Sequence, residues 1–429
     1  MLADKVSGNM FGLWLLVAEH LRLGTWDMLC TWSGQDSARV ETRLALQLVH
    51  EAALCVIGVR EQRSLSQRGF ELLNGLPFVA SDVAVHQMLE SRTVADARAL
   101  QVQLGLVRRA RGHFCGRLLA IDPHRMRSFS KRLMCRYGGD STGKPYKAAT
   151  TFFCLDADTH QPVCFTSASS AISVSQATPG LLELAAAILN PVPGKSLVLA
   201  DTEHYTAAIV DYCEMETPFD LLVPMDNTKS LQKRLQALPT GSFTHRWAGF
   251  STAKVPYKMR RTTTGPHWLY AQCCGEKEQD WRLKAFLSTR DGTEVDELTL
   301  SYPQRWHVEE FFNAHQNLGW KKAGTLNLNI RYGQMTMALI AQAAIHQLRQ
   351  RLGRPYNSWE ASHLARSLFQ GIDGDVRVSQ DTIVVTYYNA PHVELLRQQY
   401  EGLPQRLAAE GVDPRIPWLY GYKLDFRFR

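Results

Sequence analysis

Residues 117–122 read Arg-Leu-Leu-Ala-Ile-Asp, and residues 196–201 read Ser-Leu-Val-Leu-Ala-Asp. Each segment is a short apolar run that ends on an acid, and an uninterrupted apolar run of this length is typical of a strand that is buried on both faces of a sheet. Because ligand sites in open α/β sheets lie beyond the ends of the strands, the two terminal acids, Asp122 and Asp201, are candidates for one common site.

The segments around these two runs alternate between strand and helix. Thr178-Pro179 predicts the start of a helix, with proline at the first helical position. The predicted order is strand, strand, strand, helix, strand, helix, strand, over residues 117–122, 149–155, 162–167, 178–189, 196–201, 204–214 and 219–223. This order predicts an α/β fold with acids at the ends of its first and fourth strands.

The regions on either side have different patterns. Residues 1–112 predict helices, including two short ones capped by Ser81 and Thr93, which suit either a DNA-reading helix-turn-helix or a small helical bundle. Residues 226–295 contain three strand-like stretches, 245–259, 267–274 and 281–288, and predict a β-rich insertion. The chain is therefore divided into 1–112, 113–225, 226–295, 296–352, which is again helical, and 353–429, which shows no clear period.

Basic residues are concentrated in two segments. Residues 105–147 carry eleven Lys and Arg against two acids, and residues 227–263 carry eight and no acid. One such run is often only a solvated surface, but two of them, one around Asp122, favour a path for a polyanion such as DNA. In the second segment Trp247 and Tyr257 are candidates either for stacking on bases or for packing the core of the insertion.

Cysteine usage and hydropathy indicate the cellular compartment of the protein. The nine Cys are odd in number and show no Cys-x-x-Cys spacing, so we expect neither a disulfide framework nor structural zinc. There is no signal-peptide layout, and no apolar run reaches the roughly 18 residues that a membrane span needs. The sequence therefore predicts a cytoplasmic protein without a membrane partner.

A third acid is indicated by the helical segment over residues 302–316. At about 100° per residue, Tyr302, Arg305, Glu309 and Gln316 fall on one face about 60° wide. Glu310 points well away from that face. If one acid of this adjacent pair faces a site, the helical phase selects Glu309.

These residues resemble a known signature. Tyr-x2-Arg-x3-Glu-x6-Lys surrounds the last acid in a large group of bacterial insertion-sequence transposases of the DDE type, and it is matched at Tyr302, Arg305 and Glu309. Gln316 stands where that family usually has Lys. The strand and helix order, over about residues 113–350, also resembles the family's catalytic domain, a ribonuclease H-like mixed sheet flanked by helices, with a β-rich insertion between the second and third acids.

The resemblance implies a metal-dependent active site. Asp122, Asp201 and Glu309 take the places of the three catalytic acids and metal ligands, and oxygen donors suit two Mg²⁺ or Mn²⁺ ions. Asp140 competes with Asp122, because family members often show Asp-x-Thr at the first acid. We prefer Asp122, since Asp140 follows Arg-Tyr-Gly-Gly, which is not a buried strand.

The same resemblance implies contacts with double-stranded DNA, both the terminal inverted repeats of the element and the target. Tyr302 and Arg305 would contact phosphates near the cut. Gln316 carries no charge, so Lys321 or Lys322 would supply the missing cation. The expected DNA-binding residues outside this helix are Arg125, Arg127, Lys131, Arg132, Arg246, Trp247, Lys254, Lys258, Arg260 and Arg261.

The implied function is DNA cleavage at transposon ends and strand transfer, by a homodimer associated with the bacterial nucleoid. Two alternatives share the fold. A metal-dependent nuclease would cleave without joining strands. A transposase-derived DNA-binding protein would have weakened catalysis, and the departure at Gln316 is the feature that favours it.

Overall fold

The computed structural model describes residues 5–34, 40–56, 68–128, 131, 133–138, 143–277, 280–320, 325 and 327–429. The chain forms two compact units, one made of Met1–Arg108 with Phe312–Arg429 and the other of Arg109–Phe311. The N-terminal helices and the C-terminal segment, which have different sequence patterns, thus belong to one unit.

Nine strands in the described part of the second unit form one sheet. In chain order they are β1 (Leu118–Arg127), β2 (Ala148–Asp156), β3 (Gln161–Ser169), β4 (Ser196–Leu199), β5 (Phe219–Pro224), β6 (Thr244–Trp247), β7 (Phe250–Tyr257), β8 (His267–Cys274) and β9 (Arg282–Ser288). Their order across the sheet is β3-β2-β1-β4-β5-β9-β8-β7-β6. The strands β1, β4 and β5 are parallel, and the other neighbours are antiparallel. The predicted mixed sheet is confirmed.

The apolar runs form the centre of this sheet. Residues 119–121 of β1 and 197–199 of β4 are completely buried. Helices Val174–Leu189 and Ala207–Glu216 pack against the sheet, and Lys229–Gln236 follows β5. Burial on both faces explains why these central strands are uninterrupted apolar runs rather than alternating ones.

The first strand is longer than its sequence indicates. The strand expected over residues 117–122 continues to Arg127, because its pairing with β2 extends that far. Its parallel pairing with β4 nevertheless ends at Ala120. Asp122 therefore lies in the middle of β1 but beyond the end of the parallel pair.

Two helix starts also differ from the prediction. The helix expected from Thr178 begins at Val174, because Ser173 and Gln176 form a capping box and Pro179 is accommodated inside the helix. The helix expected over 204–214 is a short 3₁₀ turn, Thr202–His204, followed by Ala207–Glu216, which the Thr206 side chain caps.

The predicted β-rich insertion is confirmed, and its strands extend the main sheet. β9 pairs with β5, and β8, β7 and β6 follow outwards. The prediction of one continuous strand-like stretch over 245–259 is wrong. A turn at Gly249, with a φ of +71°, divides it into β6 and β7. A glycine is favoured there, since other residues rarely adopt positive φ.

The first unit combines helices with a smaller mixed sheet. The Ser81 and Thr93 side chains accept hydrogen bonds from the backbone N–H groups of Ala84 and Asp96, so the two predicted caps are confirmed. Its helices are Leu15–Leu23, Thr25–Ser33, Val40–Ala53, Arg68–Leu73, Asp82–Glu90, Val94–Ala110, Leu328–Leu352, Ala361–Leu364, Val393–Tyr400 and Leu403–Ala409. Its strands are Val6–Gly8, Gly374–Ser379, Thr382–Tyr387, Arg415–Ile416 and Tyr422–Phe428. In the described part of the chain, no helix has the length and apolar character needed to cross a membrane.

Candidate active site

The register of the central strands places Asp122 and Asp201 at the same edge of the sheet. Ala120 pairs with Leu199 at the end of the parallel pairing between β1 and β4. Asp122 and Asp201 each lie two residues after this pair. The side chains of Asp122 and Asp201 are only 18% and 27% exposed. The two strand-end acids expected to share a site are therefore brought together by parallel pairing.

The third acid is carried by the helical segment that follows the insertion. Val295–Ser301 forms a π-helical turn, Tyr302–Trp306 a 3₁₀ turn and His307–His315 an α-helix. The uniform α-helical period assumed for residues 302–316 is therefore wrong over its first turn. Because a 3₁₀ turn has three residues, Tyr302 and Arg305 still share a face.

Arg305 links the helix to the sheet. Its guanidinium donates to the Glu309 carboxylate at 2.9 Å, and a second nitrogen lies 3.4 Å from Asp122 Oδ1. Glu310 instead contacts Nδ1 of His307 at 2.7 Å. Of the two adjacent acids, Glu309 is thus the one that shares a partner with Asp122.

The acids influence one another electrostatically. Burial, together with the negative charges of Asp201 and Glu309, raises the pKa of Asp122 to about 7, although Arg305 opposes the shift. Burial also acts on Asp201, but the hydrogen bond from His204 and the positive charges nearby lower the pKa of Asp201 below its ordinary value. Crowding of carboxylates makes full ionisation of this cluster unfavourable without added positive charge.

The donor set fits a hard divalent cation. Asp122, Asp201 and Glu309 supply carboxylate oxygens, which Mg²⁺ and Mn²⁺ prefer. Burial and the neighbouring carboxylates raise the pKa of Asp122, so a cation added to the cluster would favour the ionised form of Asp122. The Arg305 guanidinium, which contacts Asp122 and Glu309, already provides one positive charge at the position where the acids converge.

His204 positions the second acid. It is buried, and its Nδ1 lies 2.6 Å from Asp201 Oδ1. The backbone N–H of Glu203 donates to the same oxygen at 3.1 Å. These two donors hold the Asp201 carboxylate in one orientation and favour its ionised form.

If Asp201 binds metal in a DNA-cleaving site, as the resemblance implies, replacing His204 should impair catalysis through Asp201. In His204→Ala the pKa of Asp201 rises, so the acidic limb of the pH–rate profile for DNA cleavage should move to higher pH. The rate at neutral pH should fall about 10- to 100-fold, the usual cost of removing a group that orients a metal ligand. His204→Asn, which can still donate a hydrogen bond, should recover part of the rate. An unchanged profile in His204→Ala would contradict this role.

Basic residues near β1 are paired with acidic and aromatic side chains. Arg125 forms an ion pair with Glu203, and its guanidinium lies 4.2 Å from the centre of the Tyr137 ring. Arg127 lies 5.2 Å from the Tyr146 ring. No local spacing reveals the Arg125–Glu203 pair, because its members are 78 residues apart in sequence.

In the insertion, several expected DNA-binding residues have intramolecular partners. Arg246 donates to Thr252 at 2.9 Å and lies 3.5 Å from Glu294. Lys254 is paired with Asp291, and Lys258 donates to the Thr264 carbonyl. By contrast, Lys131, Arg260 and Arg261 are exposed.

The aromatic residues of the insertion divide between surface and interior. Trp247 lies on the edge strand β6, is 48% exposed and stacks on Phe250 with 4.4 Å between ring centroids. Tyr257 is half-buried, and its hydroxyl lies 3.2 Å from the hydroxyl of Tyr205. Trp247 therefore retains an accessible ring, whereas Tyr257 is half-buried against Tyr205.

Some expected site residues cannot be placed. Asp140, Arg132, Lys321 and Lys322 lie outside the described residues. Gln316 begins a short 3₁₀ turn, Gln316–Leu318, whose first side chain is likewise not described. The choice between Asp122 and Asp140 as the first acid, and the source of the cation expected near Gln316, therefore remain predictions.

Comparison with known proteins identifies the family. No curated protein matches the sequence of this chain. The cryo-EM structure of a piggyBac transposase synaptic complex with hairpin DNA is similar at 12% sequence identity and a TM-score of 0.39, over 86% of this chain and 82% of that one. The family model described as "Transposase DDE domain" matches residues 113–343, which is more than half of the chain. The chain belongs to the DDE transposase family and is a DNA transposase.

Proposed function

We propose that this transposase cleaves DNA at the ends of its element and joins each freed 3′-hydroxyl to target DNA, with Asp122, Asp201 and Glu309 as the catalytic acids. The observation that supports this proposal most strongly is the position of Arg305, which contacts both Asp122 and Glu309. Burial raises the pKa of Asp122, and the negative charge of Asp201, which follows the neighbouring parallel strand β4, raises it further. Three separate elements thus converge on one charge cluster.

Enzymes of this family use divalent metal ions. The ions that fit the three carboxylates best are Mg²⁺ and Mn²⁺, and we propose two of them, held by Asp122, Asp201 and Glu309. Held by these three carboxylates, two such ions would supply the positive charge that activates an attacking oxygen and stabilises a leaving oxygen in phosphodiester cleavage.

We propose that Arg305 and Tyr302 hold the scissile phosphate. The planar guanidinium of Arg305 suits phosphate oxygens, and the acids that it now contacts are the proposed metal ligands. The phenol of Tyr302 carries its proton at neutral pH, since burial raises its pKa above an ordinary value that is already about 10, and it can donate a hydrogen bond to phosphate. Both residues share a face of the 3₁₀ turn that precedes Glu309.

We further propose that double-stranded DNA, carrying the terminal inverted repeats or the target sequence, follows the two basic segments. Arg260, Arg261 and Lys131 are exposed and available for phosphate contacts, and Trp247 offers an accessible ring for stacking. The proposed active species is a homodimer that holds both element ends, in the bacterial cytoplasm at the nucleoid.

Strand joining is the reaction that distinguishes a transposase of this kind from a nuclease of the same fold. The purified protein should be incubated with Mg²⁺, a labelled fragment that carries the DNA flanking its gene, and an unlabelled target plasmid. We expect cleavage at a defined boundary and transfer of the label into the plasmid. Cleavage without transferred label would indicate a nuclease and would overturn the proposal.

A further inference from the structure

A second cluster of metal-ligating side chains lies outside the acidic site. His160, His307 and Glu310 place three potential ligand atoms within 4.8 Å of one another. His160 belongs to the turn between β2 and β3, and the other two lie on the helix that carries Glu309. The imidazole rings of His160 and His307 stack with 3.8 Å between centroids and 30° between planes.

The hydrogen bonds of His307 prepare it for ligation. Its Nε2 lies 2.6 Å from Oε1 of Gln304, and its Nδ1 lies 2.7 Å from a carboxylate oxygen of Glu310. When Nε2–H donates to Gln304, Nδ1 carries the lone pair of the ring and is the nitrogen that can bind a metal ion beside the Glu310 carboxylate. Ligating histidines are commonly oriented in this way, with the second ring nitrogen donating to an oxygen acceptor.

We propose that His160, His307 and Glu310 form a binding site for Zn²⁺. Two imidazoles and one carboxylate favour Zn²⁺ over Mg²⁺, which prefers the all-oxygen cluster of Asp122, Asp201 and Glu309. Glu310 is 55% exposed and His307 is 23% exposed, so water can complete the coordination. The site therefore binds an exchangeable ion rather than a permanently enclosed one.

Zinc at this position would link the β2–β3 hairpin to the helix His307–His315. His160 is fixed to the sheet by the hairpin of β2 and β3, whereas His307 and Glu310 flank Glu309 on the helix. A shared ion therefore restrains this helix against the sheet and limits the movement of Arg305 and Glu309. The inference goes beyond the proposed function, since none of the three ligands belongs to the acidic cluster.

The test is calorimetric titration of the full-length protein with ZnCl₂ in excess Mg²⁺, which occupies the oxygen site. His160→Asn is the principal variant, because His160 has a φ of +56° and asparagine tolerates that conformation while lacking the imidazole. We expect one Zn²⁺ per chain in the wild type and in Asp201→Asn. Affinity should fall at least about 100-fold in His160→Asn, since weakening a supporting group alone costs about 10- to 100-fold.

Two further measurements test the site independently if one variant fails to fold. Gln304→Leu, which removes the acceptor for His307 Nε2, should weaken Zn²⁺ binding about 10- to 100-fold. Zn²⁺ should raise the melting temperature of the wild type, and this rise should disappear in His160→Asn and Glu310→Gln. Absence of zinc binding in the wild type, wild-type affinity in His160→Asn, or loss of the ion in Asp201→Asn alone would overturn the proposal.

Discussion

Glu309→Gln is expected to lower both DNA cleavage and strand transfer by at least about 1000-fold, which corresponds to roughly 4 kcal/mol of transition-state stabilisation. The amide keeps the shape of the side chain but cannot supply an anionic ligand. The same loss is expected for Asp122→Asn and Asp201→Asn, because the three acids act as one cluster around Arg305. The measurement is the yield of cleaved and joined products with Mg²⁺ on DNA that carries the element ends.

DNA binding separates a catalytic loss from a folding defect. All three variants should retain most of their affinity for end-bearing DNA, since the proposed DNA contacts are made by basic and aromatic residues elsewhere. Asp226→Asn is the matched control, because Asp226 is an exposed acid just after β5, the strand next to the one that leads to Asp201. It should cleave and join like the wild type. Full activity in any acid variant would remove that residue from the site, and an active Asp122→Asn beside an inactive Asp140→Asn would move the first acid.

Asp122→Asn is also expected to stabilise the metal-free protein at pH 8. The pKa of Asp122 is about 7 in the folded protein against an ordinary value of 3.8, so between these values only the folded state retains the proton. Stability therefore falls as the pH rises through this window, and the full penalty is present above pH 7. At about 1.4 kcal/mol per pKa unit, reduced because the side chain is partly solvated, we expect a gain of about 1–3 kcal/mol from the substitution.

This prediction is checked by denaturant unfolding with EDTA at pH 8 and at pH 4.5. The stability difference between variant and wild type should be largest at pH 8 and should shrink at pH 4.5, where the Asp122 carboxyl is mostly protonated in the folded wild type. Added Mg²⁺ should stabilise the wild type more than the variant, because an ion that binds only the folded state raises its stability. Equal stability at pH 8, or the same gain at both pH values, would contradict the electrostatic account of Asp122.

The sequence predicts much of this candidate site because the three acids lie on or directly after regular strands and helices. Apolar runs identify the two central strands, and parallel pairing brings their following acids, Asp122 and Asp201, to one edge. The first turn of the segment over residues 302–316 is 3₁₀ rather than α-helical, but Glu309 still lies beside Arg305. The two residues are four apart in sequence and form an i,i+4 pair.

Other features depend on contacts that no local pattern contains. β1 extends past Asp122 because β2 remains paired with it, and the insertion joins the main sheet because β9 pairs with β5. His160 and His307 are far apart in sequence and meet only in the folded unit. Thr178-Pro179 predicts a later helix start than the structure shows, because the prediction does not use the capping box that Ser173 and Gln176 form.

Anomalous diffraction from crystals of the transposase grown with Mn²⁺ would locate the bound ions directly. We expect Mn²⁺ to be bound by Asp122, Asp201 and Glu309, and to be absent from crystals of Asp201→Asn. Mn²⁺ found only at other residues, or bound equally well by Asp201→Asn, would contradict the proposal that these three carboxylates form the catalytic metal site.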